Sequence, residues 1–319
     1  MLKYVFLSGI FICFLSFYSC KEHNNSTIKI CFTGDLLLDR GVRQEIEHSG
    51  IDSIFSGVSP LFHRSDAVIS NLECPVTEHC APVNKYFIFR GEPKWLYSLK
   101  KAGITHLAMA NNHSYDQGRD GMVDTYKQLI SNKLIPIGFG KNHSEACFPV
   151  IINKGKIKVA IFNSVFLPLE NFSFLPEKPC ICQASANELA TAIADYKLKY
   201  PSAFVVVLLH WGYEYQTIPV YSQRAEAIKL IESGADAIIG HHPHVIQTIE
   251  YIKKKPVIYS LGNFVFDSKR PVALKGLIVK LEISLNKLSI IGYETSIKRC
   301  RPAIIKEFII GEPFVRIHP

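Results

Sequence analysis

The chain has 319 residues, of which 48% are hydrophobic and 20% are charged, a balance typical of a folded globular protein. This composition excludes an intrinsically disordered chain. The 36 Lys and Arg residues exceed the 28 Asp and Glu residues and give a net charge of +8, but they are scattered, with 253–255 the only tight run. No nucleic-acid-binding motif accompanies that run, so nucleic acid is not an expected partner.

The N-terminus has the plan of an export signal. Lys3 precedes an apolar stretch over 4–18 that is short for a bilayer span, and a small residue then precedes Cys20. This order resembles a bacterial lipoprotein signal, so residues 1–20 are predicted to form one. The mature protein would be exported and anchored to the cell-envelope membrane through lipidated Cys20. Phe17 departs from the usual pattern, and an uncleaved signal anchor is the alternative.

Seven cysteines follow Cys20, and an odd number cannot all pair within one chain. An oxidising compartment permits a bridge such as Cys74 to Cys80. Cys31 and Cys147 lie in or beside apolar stretches and are expected to be small core residues. Zinc-finger spacing is absent, so no cysteine is predicted to bind metal. The connectivity stays open.

Strands and helices alternate along the chain, which predicts an α/β fold. Apolar, β-rich runs predict strands at 28–33, 67–70, 106–110, 159–163, 203–209, 235–239, 257–260 and 277–283. Helical patterns are clearest at 93–102, 121–134, 186–198 and 222–233. After residue 255 the helices stop, which predicts an added antiparallel sheet layer. No repeat or linker divides the sequence, so one domain is expected over 27–319.

Polar clusters follow five of the predicted strands at the point where each strand ends. They are Gly34-Asp35, Asn71-Leu72-Glu73, Asn111-Asn112-His113, His210-Trp211-Gly212 and His242-Pro243-His244. In open α/β sheets, binding groups collect on the loops beyond the carboxyl ends of the strands. The five clusters are therefore expected to form one site.

The donor atoms in these clusters suit divalent metal ions, because carboxylate oxygen, amide carbonyl and neutral imidazole are all present. Ions held there would polarise a phosphoryl or acyl oxygen and lower the pKa of a bound water to roughly 7. His113 is not needed as a ligand and is predicted to do acid–base work beside Asn112. The predicted ligands are Asp35, Glu73, Asn112, His210, His242 and His244.

Other residues near these clusters have less specific signals. Arg40 and Arg90 are predicted to bind an anionic substrate, since a guanidinium can hold a carboxylate or phosphate with two hydrogen bonds. Surface salt bridges are an equal alternative for both. His241 is expected to be a neighbour of the site, and Asn263 to anchor a turn near it. Asp35 could instead cap a turn.

The motifs together resemble the bacterial capsule-synthesis CapA family, also called the poly-γ-glutamate biosynthesis family, a branch of the calcineurin-like metallophosphoesterases. Further stretches that match are 85–91, 111–121 (NNHSYDQGRDG), 210–215 (HWGYEY), 234–250 (GADAIIGHHPHVIQTIE) and 259–267 (YSLGNFVFD). The resemblance covers about residues 28 to 280. It implies a four-layer αββα fold and a centre for manganese, iron or zinc, with catalytic roles for Asn112 and His113.

Two departures from that superfamily bear on the metal count. Its usual Asp-x-His opening is replaced by Asp35 followed by Leu36 and Leu37, and a second usual aspartate is replaced by Glu73. The centre is therefore expected to hold one or two ions.

Three functions fit this reading. The first is a cell-envelope metal-dependent hydrolase that acts on a phosphoester, or on an amide linkage of an anionic polymer, in capsule or poly-γ-glutamate biosynthesis. The second is a non-catalytic role in assembly, anchoring or export of the polymer, with membrane proteins of capsule synthesis as partners. The third is an extracellular binding module with one closed structural ion site.

Overall fold

The computed structural model describes residues 27–285 and 287–311. The predicted signal over 1–20, with Cys20, lies outside the described residues, and the division into a signal and one domain stays a prediction. None of the helices in the described ranges has the length and apolarity needed to cross a bilayer.

The first of two large sheets has eight strands, in the order β16-β15-β14-β1-β2-β3-β4, with β13 pairing with β1. Strands β1 to β4 and β13 are parallel, and β14 to β16 are antiparallel. The bounds are β1 (Ile28–Leu36), β2 (Ala67–Leu72), β3 (His106–Ala108), β4 (Ile135–Ile137), β13 (Asn263–Val265), β14 (Lys275–Ile283), β15 (Leu288–Lys298) and β16 (Arg301–Ile309).

The second large sheet has six strands, in the order β11-β12-β10-β9-β7-β6, with an antiparallel strand at each edge. Its strands are β6 (Val150–Lys154), β7 (Ile157–Val165), β9 (Phe204–His210), β10 (Ala237–His241), β11 (Ile249–Ile252) and β12 (Lys255–Ile258). A small two-stranded sheet consists of β5 (Phe139–Gly140) and β8 (Cys180–Ile181).

The helices lie outside the two sheets. They are α1 (Gly41–Ser49), α2 (Asp52–Phe55), α3 (Ser59–Phe62), α4 (Leu96–Lys101), α5 (Gly118–Ser131), α6 (His143–Ala146), α7 (Ala186–Lys199) and α8 (Tyr221–Glu232), with 3₁₀ turns at Pro93–Trp95 and Pro271–Leu274. Helix α7 begins with a capping box, in which Ser185 and Glu188 satisfy each other's backbone N–H groups.

Alternating side chains of the strands build two apolar layers. Ile30 and Phe32 of β1 pack between the sheets with Val206 and Leu208 of β9. The intervening side chains, such as Val207, point to the other face and pack in the cluster that includes the helices. Each fully buried aliphatic side chain contributes about 1.5–3 kcal/mol. The result is a four-layer αββα sandwich, the fold that the resemblance implied.

All eight predicted strands and all four predicted helices overlap an observed element. The prediction of a separate antiparallel layer after residue 255 was wrong in one respect. Strands β14 to β16 are antiparallel, but they extend the first sheet, because β14 pairs with β1 from Ile28 opposite Ile283 to Phe32 opposite Val279. The backbone of β1 is therefore hydrogen-bonded to a strand on each side, β14 on one and β2 on the other.

The cysteine predictions need correction. Cys147 forms a disulfide with Cys182 and is not a free core residue. Cys74 and Cys80 do not pair: both are free, Cys74 is buried, and Cys80 is exposed. Cys31 is a free, buried core residue, as predicted.

Candidate metal centre

The predicted site residues meet where strands of both sheets end. Asp35 lies near the end of β1 opposite Asn71 of β2, and His210 and His241 are the last residues of β9 and β10. The parallel strands bring these ends to one edge of the sandwich. Clusters that are distant in sequence thus face a common space.

A close backbone approach positions the first of them. A Cβ atom at Gly34 would lie 1.9 Å from the carbonyl oxygen of Gly262, so only glycine fits between β1 and the turn before β13. The Asp35 N–H donates to that same carbonyl oxygen at 3.1 Å. This contact sets Asp35 beside Asn263.

Two buried carboxylates form the centre of the site, and Asn71 orients both. Its side-chain Nδ2 donates to Asp35 Oδ1 at 2.8 Å and to Glu73 Oε2. Asn111 holds the Asn71 amide by donating to its Oδ1 at 3.2 Å. One oxygen of each carboxylate is thereby satisfied. The other two, Asp35 Oδ2 and Glu73 Oε1, are buried and have no hydrogen-bond partner.

Two imidazoles approach these free oxygens. His210 Nε2 lies 3.7 Å from Glu73 Oε1 and 2.8 Å from Asn112 Oδ1. His244 Nε2 lies 4.0 Å from Glu73 Oε1. His244 Nδ1 lies 3.0 Å from Asp35 Oδ2, but its N–H donates to Asn263 Oδ1, also at 3.0 Å. Asn263 therefore fixes the ring and leaves Nε2 facing the carboxylates.

His242 completes the group. Its ring lies 5.0 Å from that of His210 and 5.9 Å from that of His244, and its buried Nδ1 has no hydrogen-bond partner. His241, by contrast, donates from Nε2 to the Thr33 carbonyl at 3.1 Å. It is a neighbour of the site, as predicted.

Four residues here have a strained backbone. His242 and His244 have φ values of 97° and 58°, and Arg40 and Tyr215, which line the adjacent pocket, have 53° and 63°. Left-handed backbone at residues other than glycine costs about 1–3 kcal/mol each, and it persists where the surroundings fix it, commonly at functional sites. Tyr215 N–H donates to the Pro243 carbonyl at 2.8 Å, which ties two strained segments together.

Burial and charge set the protonation of these groups. Burial raises the pKa of Glu73 well above its ordinary value, and the nearby charge of Asp35 raises it further. Burial lowers the pKa of His242 to about 3 and holds that of His210 well below its usual range. Burial would also lower the pKa of His244, but the contact with Asp35 raises it overall. His210 and His242 are thus neutral, the form in which imidazole binds metals.

The donor set fits a divalent cation. Ligand atoms of Asp35, Glu73 and His210 all lie within 4.8 Å of one another. Atoms that share an ion about 2.1 Å away lie roughly 3–4 Å apart, which is the range of the free oxygens and imidazole nitrogens here. Buried carboxylate oxygens without partners are costly unless a positive charge compensates them. Three of the six predicted ligands form this group, and the other three candidates, Asn112, His242 and His244, lie around it.

The predicted catalytic histidine lies beside this group. His113 Nδ1 is 2.8 Å from Asp116 Oδ2, and the ring packs on Phe89 at 4.3 Å between centroids. Burial lowers the pKa of His113, and Asp116 opposes that effect. The imidazole is held by Asp116 on one side and lines an open pocket on the other.

That pocket has a volume of about 360 Å³ and contains one of the two predicted substrate-binding arginines. Arg40 lies between the rings of Phe89 and Phe266 and forms an ion pair with Asp267. Arg90 is not brought to the pocket. Its guanidinium donates to the Thr77 carbonyl at 2.9 Å and to Glu92 at 2.7 Å, as the salt-bridge alternative describes.

Sequence reasoning missed four residues of this region. Asn71 stood in a recognised motif, but only Glu73 was selected from it. Asp116 follows His113 by three residues, and Lys85 opens the stretch 85–91. Each of these three residues lies in or near a recognised motif, which is the signal that could have identified it. Their contacts depend on the tertiary fold and are not visible in the sequence. Arg270, which stacks on Tyr215 at 4.0 Å in the pocket, had no sequence signal.

Comparison with known proteins identifies the family. The profile of the bacterial capsule synthesis protein PGA_cap matches residues 29–268. The chain belongs to the PGA_cap family. The six candidate ligands and His113 all fall within the matched range.

Two PGA_cap relatives are similar over most of this chain. The PGA biosynthesis protein CapA of Bacillus subtilis (strain 168) is 33% identical over 250 residues, which are 77% of this chain and 65% of that protein. The capsule biosynthesis protein CapA of Bacillus anthracis is 32% identical over 253 residues, 77% of this chain and 62% of that protein. The chain thus spans under two thirds of the length of these relatives.

Among solved structures, a putative 5'-nucleotidase from Staphylococcus aureus in complex with alpha-ketoglutarate aligns with 90% of this chain and 56% of its own, at a TM-score of 0.49 and 14% identity.

We expect Glu73→Gln to weaken manganese binding at least 100-fold, because it removes one of the two anionic charges and one free oxygen. Isothermal titration calorimetry of the metal-stripped chain measures this. Glu78→Gln, the same change at an exposed position of the following loop, should bind like the wild type. Equal affinity in all three proteins would show that the carboxylate pair is not the metal site.

Proposed function

We propose that the protein is a metal-dependent hydrolase of the calcineurin-like type that acts on an anionic substrate in capsule or poly-γ-glutamate biosynthesis. The observation that carries this proposal is the pair of buried oxygens without a hydrogen bond, Asp35 Oδ2 and Glu73 Oε1, next to His244, which lines a pocket together with His113. Family membership supports the biosynthetic context, since the two curated relatives bear capsule and PGA biosynthesis names.

The residues of the chain divide the work. A divalent ion, one of manganese, iron or zinc, bound by the six candidate ligands supplies positive charge that polarises a phosphoryl or acyl oxygen. Asn71 and Asn263 fix the orientation of the carboxylates and of His244. His113 lies where it can transfer a proton to a leaving group through Nε2, because Nδ1 is engaged by Asp116.

The pocket favours a substrate with more than one negative charge. Arg40 and Asp267 balance each other, which leaves Lys269 and Arg270 against the single carboxylate of Glu214. An anionic polymer could place one group at the metal centre and a neighbouring group near Arg270. A phosphoester and an amide of a carboxylate polymer both meet this requirement.

His113→Ala and His244→Ala should each reduce hydrolysis of bis-p-nitrophenyl phosphate by the manganese-loaded chain at least 100-fold. The first removes proton transfer, worth about 10²–10⁴ in rate, and the second removes a ligand. Release of p-nitrophenol measures the rate, and His48→Ala, an exposed histidine on α1, should match the wild type.

The same assay separates the hydrolase from an assembly role. Asp35 is followed by Leu36 and Leu37, so the histidine of the usual Asp-x-His pattern is absent. The loss of this metal ligand favours the assembly role. Manganese bound at the site without turnover of phosphodiesters or of poly-γ-glutamate would reject the hydrolase and leave assembly, anchoring or export of the polymer. One enclosed ion with no exchangeable position would indicate a structural site.

Arg270→Gln should weaken binding of fluorescein-labelled poly-γ-glutamate about tenfold, the loss expected for one charge-assisted contact to a carboxylate. Fluorescence polarisation at fixed salt measures the Kd without requiring turnover. Arg64→Gln, the same change on an exposed residue outside this pocket, is the control. An unchanged Kd for Arg270→Gln would remove Arg270 from the substrate site.

We also propose that the protein is exported and anchored to the cell-envelope membrane through lipidated Cys20, where proteins of capsule synthesis are its candidate partners. The Cys147–Cys182 disulfide supports a location outside the reducing cytoplasm.

Cys20→Ala should move the protein from the membrane fraction to the soluble extracytoplasmic fraction, because the lipid is the proposed anchor. Fractionation and immunoblotting measure the distribution, and Cys300→Ala, a free cysteine of the folded domain, is the control. Membrane retention of Cys20→Ala would favour the uncleaved anchor.

A further inference from the structure

A buried lysine enters the site from an exposed loop. The side chain of Lys85 is 4% exposed, whereas those around it are open to solvent, with Tyr86 89% and Phe87 47% exposed. Lysine side chains are rarely buried unless paired, since their charge is strongly solvated in water. The loop at 84–87 is therefore anchored inward at one charged point.

Three groups surround the Lys85 ammonium. Its Nζ donates to Asp116 Oδ1 at 2.8 Å and to the backbone carbonyl of Asn112 at 2.9 Å, and it lies 3.5 Å from His113 Nδ1. Lys85 does not line the pocket that contains Arg40 and Arg270. Lys85 therefore contacts the predicted catalytic residues Asn112 and His113, and it does not contact the proposed substrate pocket.

Asp116 transmits this contact to His113. Its second oxygen, Oδ2, accepts from the Phe89 N–H at 2.7 Å and lies 2.8 Å from His113 Nδ1. An ionised carboxylate only accepts hydrogen bonds, so the proton of the neutral imidazole resides on Nδ1. With Lys85 on Oδ1, both oxygens are occupied and the carboxylate cannot rotate away from the ring.

Stability alone does not explain the ion pair, because replacing a buried pair with apolar side chains of similar volume is often neutral or stabilising. We propose that Lys85 is a positioning residue. It holds the Asp116 carboxylate and the Asn112 backbone together, so that His113 keeps Nε2 free for the substrate while the Asn112 side chain faces the metal ligands. The expected effect on catalysis rests on the proposed function. The expected tautomer of His113 rests only on the contacts described above.

The tautomer can be tested without turnover, on the full chain labelled with ¹⁵N-histidine. Long-range ¹H–¹⁵N correlation spectra report which ring nitrogen carries the proton, and His113→Gln identifies the signal among the 12 histidines. We expect one Nδ1–H tautomer for His113 in the wild type and in Lys156→Met, a change in the exposed β6–β7 turn. Lys85→Met should give a mixture of tautomers.

Kinetics test the consequence. In the manganese-loaded chain, Lys85→Met should lower kcat by about 10- to 100-fold with KM and manganese content little changed, because the ligand side chains and the pocket cations remain. If Lys85→Met does not fold, Asp116→Asn carries the test. Lys85 should then hold the amide oxygen, so that the amide NH₂ faces His113 and shifts its proton to Nε2.

The outcomes distinguish the two proposals. A wild-type His113 protonated on Nε2, or a single Nδ1–H tautomer retained in Lys85→Met or Asp116→Asn, would overturn the positioning role. A wild type without turnover whose tautomer still responds to Lys85→Met would reject the hydrolase and leave the positioning role intact.

Discussion

The site depends on two carboxylates that are forced together in a buried place. Asp35 and Glu73 are both 0% exposed, and Asn71 satisfies one oxygen of each while the others face one space. Burial, and then the negative charge of Asp35, raises the pKa of Glu73, so two ionised carboxylates are unfavourable here. A shared cation is the simplest compensation. The neutral imidazoles, the strained loop of His242 and His244, and the oriented amides all follow from arranging donors around that charge.

The backbone at the site includes two histidines in a conformation that residues other than glycine rarely adopt. His242 and His244 lie on either side of Pro243 with positive φ, a conformation that places both rings toward the carboxylates. The sandwich can sustain this because two apolar layers, between the sheets and beneath the helices, fix the strand ends from which the loops start. Packing in the apolar layers stabilises the fold, and this stabilisation offsets the backbone strain of the loops that hold the donor atoms.

Much of this arrangement was predictable from the sequence, for a physical reason. Asp35, His210 and the His242 motif each follow an apolar run that can only be a buried strand, so polar residues there must lie at the edge of a sheet. Contacts between separate loops were not predictable. Lys85 and Asp116 are 31 residues apart and meet only in the folded chain, and Cys147 finds Cys182 across 35 residues. Sequence alone offered no basis for distinguishing Arg90 from Arg40 as a substrate-binding residue. The structure distinguishes them, because Arg40 lines the pocket and Arg90 is held by Glu92 away from it.

The contact between Gly34 and the Gly262 carbonyl has a consequence for the candidate centre. Even a methyl group at position 34 would push β1 away from the turn that leads to Asn263, and Asn263 in turn holds His244. Ion coordination tolerates displacements of only a few tenths of an ångström. One change at position 34 could therefore disturb the candidate centre while every donor side chain stays in the sequence, which makes the backbone contact as important to the geometry as the donors themselves.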